Sequence, residues 1–459
     1  MFSTDLWRPF EIRPVTYLTF WLNAQAGRDP FGYHAMNLAL HLAAAILLFL
    51  ALRALVPEKA AWIAAAIFAV HPFQAEAVNY IFARSIELAT IFCLLSLWCW
   101  TRGRVWWAAV WFGVALLAKE ECAAFPVFLL ALHAAGKRER RELAPMGTMV
   151  LLALAAGLRV MLVGAGIAGS GIGSQSGVTA RTYALTEGTV ILRYLRMLVV
   201  PVGFSVDPEI HVPSLLLGVL AWAFVLVLAA IALLRFRGAG PGFWFVSGLV
   251  LLLPSSSILP AADLAADRRM YLPMIAFATC AGLLLQDVKP VWPAALLLAL
   301  AGISFERTTV WRTEESLWAD AAAKAPGKIR PKIQLARAAA PGRAIEILEG
   351  AKRSAPADER IPAEEGRVYL SAGKPLQALD QFGRALALAP QSADAFNNRG
   401  AALLALGQRE AARQDFEHAL AIAPCAFDAR LNLLRVGIAG PQPAGCSFSA
   451  DQRRALGWN

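Results

Sequence analysis

The sequence predicts an all-α protein, a polytopic transmembrane helical bundle followed by a soluble solenoid of helical repeats. Three observations carry this reading. The 459 residues are 58% hydrophobic and 17% charged, with a mean hydropathy of +0.52, well above the roughly 45–50% apolar usage of soluble domains. The apolar runs gather between residues 38 and 305, whereas residues 306–459 read as a soluble segment rich in Ala, Arg and Glu. Within that segment Gly366, Gly373, Ala378, Phe382, Ala385 and Pro390 recur 34 positions later as Gly400, Gly407, Ala412, Phe416, Ala419 and Pro424. Ala344, Leu348, Ala351 and Pro356 lie 34 positions before their counterparts, so three units are expected.

A helix needs about 20 apolar residues to cross the hydrocarbon core. On that basis about ten spans are expected, at 35–53, 61–81, 86–101, 105–118, 121–136, 146–165, 213–234, 243–260, 269–286 and 289–305. The stretch 182–202 carries Arg193 and Arg196 amid apolar residues, which suits an interfacial or re-entrant helix. The expected domains are an outer segment 1–34, the bundle 35–305, a connector 306–328, repeats over 329–430 and a tail 431–459. The formal net charge of +10 is no nucleic-acid signature, because Lys and Arg collect in short loops between apolar runs. Placing Arg53, Lys59, Arg102, Arg104, residues 137–141, Arg235, Arg237 and Lys289 in the cytoplasm is self-consistent. The first residues, the loops at Arg84, Lys119 and Asp267, the Gly/Ser-rich loop 164–177 and the repeats then fall outside. An outer amino terminus implies a further helix upstream of Met1. The composition suits a bacterial inner membrane with the repeats in the periplasm.

Cys93, Cys99, Cys122 and Cys280 lie in or beside apolar runs without metal-ligand spacing, as small core or lipid-facing residues. Cys425 and Cys446 sit in the soluble part, either as a disulfide in an oxidising compartment or as two thiols. No phosphate-binding loop, dinucleotide fingerprint or nucleophile elbow is present. The informative polar residues stand at the outer ends of the spans, where charge is costly and usually serves a pathway, ligand or partner. They are Arg13, His34, Asn37, His41, His71, Glu76, Arg84, Glu87, Lys119, Glu120, Glu121, Asp267, Arg268 and Arg269. His34, Asn37 and His41 share roughly one helix face and are expected to bond a polar headgroup or a neighbouring helix. Lys119 is either a phosphate ligand or the partner of its acidic neighbours. Arg268 and Arg269 offer two guanidiniums to a phosphate.

The period and the G…G…A…F…A…P pattern resemble tetratricopeptide repeats. The segments RPVTYLTFWLN (from Arg13), DPFGYHAMNLALH (from Asp29), FAVHPFQAEAVNYIFAR (from Phe68), LLAKEE (from Leu116), LPSSSILP (from Leu253), ADRRMYLP (from Ala266) and WRTEESLW (from Trp311) resemble, in that order, the transmembrane and tetratricopeptide-repeat-containing proteins. That family is related to C-superfamily glycosyltransferases such as the protein O-mannosyltransferases. The resemblance implies transfer of a sugar from a polyprenyl-phosphate donor to a protein or glycan hydroxyl, with the repeats recruiting the acceptor. By resemblance Arg13, Arg84, Lys119 and Arg268 bind the donor phosphate, and His34, Asn37, His41 and His71 shape the site. The family's acidic pair is expected upstream of Met1, which leaves Asp5, Glu11, Glu76 and Glu120 as candidate carboxylates within this chain. No metal ligands or cofactor other than the lipid-linked sugar are expected, and a divalent-metal requirement stays open. The alternative is a non-catalytic, membrane-anchored repeat scaffold that holds an envelope protein.

Overall fold

The structure, a computed structural model, describes residues 13–27, 29–136, 142–165, 178–236, 238–256, 261 and 263–458. The chain divides into two compact units, Phe10–Arg312 and one containing Thr313–Asn459. The described elements are helices with short connections, and no β-strand occurs among the described residues.

The first unit runs through α1 (Pro14–Ala26), α2 (Pro30–Leu52), α3 (Glu58–Val70), the short α4 (Gln74–Asn79), α5 (Arg84–Thr101), α6 (Val105–Ala118), α7 (Phe125–Gly136), α8 (Leu143–Ala165), α9 (Ala180–Val199), α10 (Leu215–Arg235), α11 (Pro241–Leu252), α12 (Met274–Leu285) and α13 (Val291–Thr309). Asp29 caps α2 by accepting from Phe31 N at 2.9 Å, with Pro30 in the first turn, where a missing N–H costs nothing. Helix α5 is buried on nearly every face and forms the bundle's centre. By contrast α10 buries only Gly218, Ala221 and Val225, leaving a broad apolar surface suited to lipid.

Four described stretches are long and apolar enough to cross a membrane, Pro30–Leu52, Ile81–Thr101, Leu215–Arg235 and Val291–Arg312. Several expected single spans are corrected to shorter helices. The expected span 61–81 breaks at His71, whose extended backbone (φ −70°, ψ 133°) follows from the clash that Pro72 imposes on the residue before it. The span 269–286 becomes a 3-10 turn, Asp267–Met270, and then α12 beyond Pro273. The span 121–136 likewise opens with a 3-10 turn, Glu120–Ala124, because Lys119 is extended (φ −161°, ψ 131°). Helix α11 stops at Leu252, before Pro254. These interruptions fall where the polar motifs lie. The expected interfacial stretch 182–202 is one helix, α9. Residues 166–177 of the Gly/Ser-rich loop lie outside the described residues, and 164–165 end α8.

Small residues let the helices approach one another. A Cβ on Gly282 of α12 would lie 2.4 Å from the Ala60 carbonyl oxygen of α3, and one on Gly188 of α9 would lie 2.9 Å from Trp222 of α10. Trp222 Nε1 then donates to Ala184 O at 2.6 Å.

The second unit comprises α14 (Glu314–Lys324), α15 (Ile329–Ala338), α16 (Pro341–Ser354), α17 (Arg360–Ser371), α18 (Pro375–Leu388), α19 (Ala393–Ala405), α20 (Arg409–Ile422), α21 (Phe427–Arg435) and α22 (Ala450–Ala455). The expected connector 306–328 is therefore largely helical. Thr313 and Ser316 form a capping box at the start of α14, which packs on α15. Five of the six terms of the repeat pattern have a cause in packing or backbone conformation. Gly366 and Gly400 sit against the rings of Phe382 and Phe416, where a Cβ would come within 2.6 Å. Gly373 and Gly407 take left-handed turns (φ 69° and 78°) between paired helices. Ala378, Phe382, Ala385, Ala412, Phe416 and Ala419 are buried. Cys425 and Cys446 form a disulfide, Cα–Cα 5.4 Å, tying the end of the last repeat to the tail.

Candidate functional site

The interruptions in α3, between α6 and α7, and before α12 bring charged motifs together. Thr16 of α1 donates through Oγ1 to Ala118 O at 3.0 Å, which docks α1 against the end of α6. Arg13, just before α1, thereby meets Glu120, with Nε–Oε2 at 3.1 Å and Nη2–Oε1 at 2.5 Å. In the same turn Lys119 Nζ lies 3.1 Å from Glu121. From the far side of the sequence, Arg268 Nη1 donates to Glu76 Oε1 at 2.6 Å and its backbone N–H to Oε2 at 3.1 Å. The Arg268 guanidinium also reaches Asp263 at 3.4 Å. Lys119 stands within electrostatic reach of Glu121, Arg13, Arg268 and Glu120, so the two halves form one cluster.

Burial sets the chemistry of these groups. It lowers the pKa of the Lys119 ammonium even though Glu121 opposes the shift. Burial alone would raise the Glu120 carboxyl, but the Arg13 guanidinium outweighs it and holds Glu120 below the usual range. Glu76 is almost fully buried, whereas Arg268 keeps a quarter of its side chain exposed. Arg268 therefore offers a partly open cation backed by a buried carboxylate. Cations so held are what an incoming phosphate or a departing anion requires.

A second layer supports this one. Arg193 of α9 bonds Asp267 at 2.8 Å, and the other Asp267 oxygen accepts from Ser205 N at 3.0 Å. Arg269 turns inward to Tyr183 Oη at 3.1 Å, Glu187 at 3.5 Å and the carbonyls of Leu264 and Asp263. Burial raises the Glu187 carboxyl to about 7. Arg268 and Arg269 thus do not act as twin guanidiniums, since successive residues of a 3-10 turn point to different sides. Asp263, Tyr183 and Glu187 are not among the expected site residues, and Arg193 is expected only as part of an interfacial or re-entrant helix. The one available signal was a pair of arginines inside the apolar stretch 182–202.

The expected site residues divide. Arg13, Glu76, Lys119, Glu120 and Arg268 converge. Arg84 does not belong with them, because it is fully buried and its donors are engaged by Asn37 Oδ1 (2.8 Å), Tyr33 O (3.1 Å) and Thr19 O (3.4 Å), with the Phe20 ring 4.6 Å away. It joins α1, α2 and α5. Asn37 is Arg84's partner, and His41 bonds Tyr271 Oη (2.9 Å) and Ala69 O (3.0 Å), so both make bonds between helices. His34 is exposed, whereas Asn37 and His41 further along α2 are buried. His71 is buried at the α3 break and accepts from Phe73 N at 3.2 Å. Asp5 and Glu11 lie outside the described residues. Arg84→Lys keeps the charge but not the fork of donors, and it is expected to cost about 2 kcal/mol, read as a lower thermal midpoint of the purified protein.

The tetratricopeptide-repeat family model matches residues 393–424, which are α19, α20 and the turn that ends α20. The chain is 26% identical over 361 residues to Protein O-mannosyl-transferase F38B6.6 of Caenorhabditis elegans, covering 71% of this chain and 52% of that protein. It is 45% identical over 85 residues to Protein O-mannosyl-transferase Tmtc1 of Drosophila melanogaster, 18% of this chain and 10% of that one. It is also 37% identical over 127 residues to Protein O-mannosyl-transferase TMTC2 of Homo sapiens, 24% of this chain and 15% of the relative. The chain is TMTC-like. This TMTC-like chain spans about half the length of the C. elegans relative and a smaller share of the others. With its membrane-length apolar helices, it is a multi-pass membrane protein. Among solved structures, the TMTC-like chain is similar to MamA (18% identity, TM-score 0.24, 29% of this chain and 78% of that one). It is also similar to the first TPR of Spaghetti (RPAP3) bound to an HSP90 peptide (27% identity, TM-score 0.21, 21% and 77%).

Proposed function

We propose that the protein is a membrane glycosyltransferase that moves a sugar, mannose by analogy with its relatives' names, from a polyprenyl-phosphate carrier to a protein or glycan hydroxyl on the periplasmic side. The observation that carries this is the convergence of Arg13, Lys119 and Arg268 with Glu76 and Glu120 at the broken ends of apolar helices. A lipid-linked donor stays at the membrane surface, and its phosphate leaving group needs cations placed in advance. An acceptor hydroxyl needs a nearby carboxylate to take its proton, and Glu76 and Glu120 are the described candidates within the cluster. In the repeat unit a groove of about 720 Å³ is lined by Arg337, Glu364, Arg367, Asn397 and Asn398 among others. It is concave, polar and suited to holding an acceptor chain.

One observation favours a second reading. Each cation of the cluster already has a carboxylate partner, as a purely structural network in a membrane-anchored scaffold would require. Transfer of radiolabelled sugar from polyprenyl-phosphate donors, in membranes expressing the chain, separates the two. Transfer above empty membranes is expected, with Lys119→Met lowering it about 100-fold at unchanged protein level. No transfer by the well-expressed wild type, with all polyprenyl-phosphate sugars and added acceptor membranes, overturns the enzyme reading in favour of the scaffold.

A further inference from the structure

A second site lies at the opposite end of α3 from Glu76, roughly 20 Å along a helix of this length. There α3 and α13 separate and leave an open crevice of about 580 Å³. The two helices run parallel and meet near their other ends, where Ser304 Oγ donates to Val70 O at 2.8 Å. The crevice walls include Trp62 and Ile63 from α3 and Pro293, Ala294 and Leu297 from α13, with Lys59 at the mouth. Trp62 is more than half exposed although it packs on Phe49, ring centroids 4.0 Å apart. Trp292 at the start of α13 is similarly exposed.

The charges at this mouth do not cancel. Glu58 is paired with Arg53 at 3.6 Å, whereas Lys59 has no ion-pair or hydrogen-bond partner among the described residues. The crevice thus combines an apolar slot, exposed indole rings and an uncompensated ammonium at one end. Indoles and lysines gather at the headgroup level of a bilayer. A basic recess between helices on the side where Lys and Arg collect suits an anionic headgroup. We infer that this crevice binds one anionic phospholipid, its phosphate at Lys59 and an acyl chain along Trp62, Ile63, Pro293 and Leu297. The occupant enters from the leaflet that borders Arg53 and Lys59, the opposite end of the bundle from the ion-pair cluster, so the inference does not depend on the proposed transfer.

The test uses the full chain purified in detergent, exposed to equal amounts of phosphatidylglycerol and phosphatidylcholine, and weighed intact by native mass spectrometry. Wild type is expected to retain one phosphatidylglycerol in preference to phosphatidylcholine. Lys59→Glu lowers that preference roughly tenfold, the scale of one basic side chain at an anionic surface. Ala294→Trp, at an exposed position, fills the slot and removes retention of both lipids. Equal retention of the two lipids by wild type, or undiminished phosphatidylglycerol on Ala294→Trp, overturns the inference. Both variants change exposed side chains, and a single symmetric gel-filtration peak identical to wild type verifies that each is folded.

Discussion

Arg268→Ala is expected to reduce sugar transfer at least 100-fold, about 3 kcal/mol of barrier, and to destabilise the bundle by about 3 kcal/mol. The two losses have separate causes. The stability loss comes from Glu76, which is almost fully buried and keeps only the Arg268 backbone N–H once the guanidinium is gone. The activity loss comes from removing the partly open cation of the cluster. Arg268→Ala combined with Glu76→Ala separates them, because no uncompensated charge is then buried. Thermal unfolding of the double variant should return most of the way to wild type, while radiolabel transfer stays lost because both the cation and the candidate carboxylate Glu76 are gone. Glu76→Gln alone, which keeps Arg268, reports how much of that loss belongs to the carboxylate. Recovery of both would make Arg268 a structural residue only.

Gly282→Ala is expected to cost about 2 kcal/mol or more, the usual range for forcing a methyl group into a packed contact, seen as a lower midpoint and reduced monodispersity. Its new Cβ would lie 2.4 Å from the Ala60 carbonyl oxygen and 3.1 Å from Ala64 N, and backbone atoms cannot rotate away. The effect should reach the cluster. Helix α3 leads directly into the segment carrying Glu76, and α12 directly follows the turn carrying Arg268, so their close packing sets the register of that ion pair. Gly302→Ala in α13 is the control, since its Cβ would meet nothing within 4 Å. It should be neutral or stabilising by a few tenths of a kcal/mol through helix propensity. Equal destabilisation by both substitutions would show that the α3–α12 contact is not the cause.

Much of this protein could be read from its sequence, and the boundaries of what could be read are physical. The repeats were legible because every unit solves the same packing problem, so Gly400 beneath Phe416 and Gly407 in its left-handed turn recur at a fixed spacing. The segments of the charged cluster were legible as motifs, but the partners were not. Arg193 with Asp267, and Arg13 with Glu120, are joined across 74 and 107 residues, and hydropathy carries no such information. Arg84 shows the opposite failure. An arginine in an apolar stretch announces a cost, yet nothing local says whether a ligand or three neighbouring backbone and amide oxygens meet it. Pro72 and Pro273 stand at the broken spans, but a count of apolar length takes no account of the backbone that a proline imposes on the residue before it.

The pairing of cation with carboxylate throughout the cluster has a consequence for how a ligand arrives. Opposite charges held a few ångströms apart cancel at a distance, so the site projects little field into the surrounding solution. Long-range steering, which makes encounter rates fall steeply as ionic strength rises, should contribute little. The proposed lipid-linked donor would need none, because diffusion in two dimensions already confines its search to the plane of the membrane.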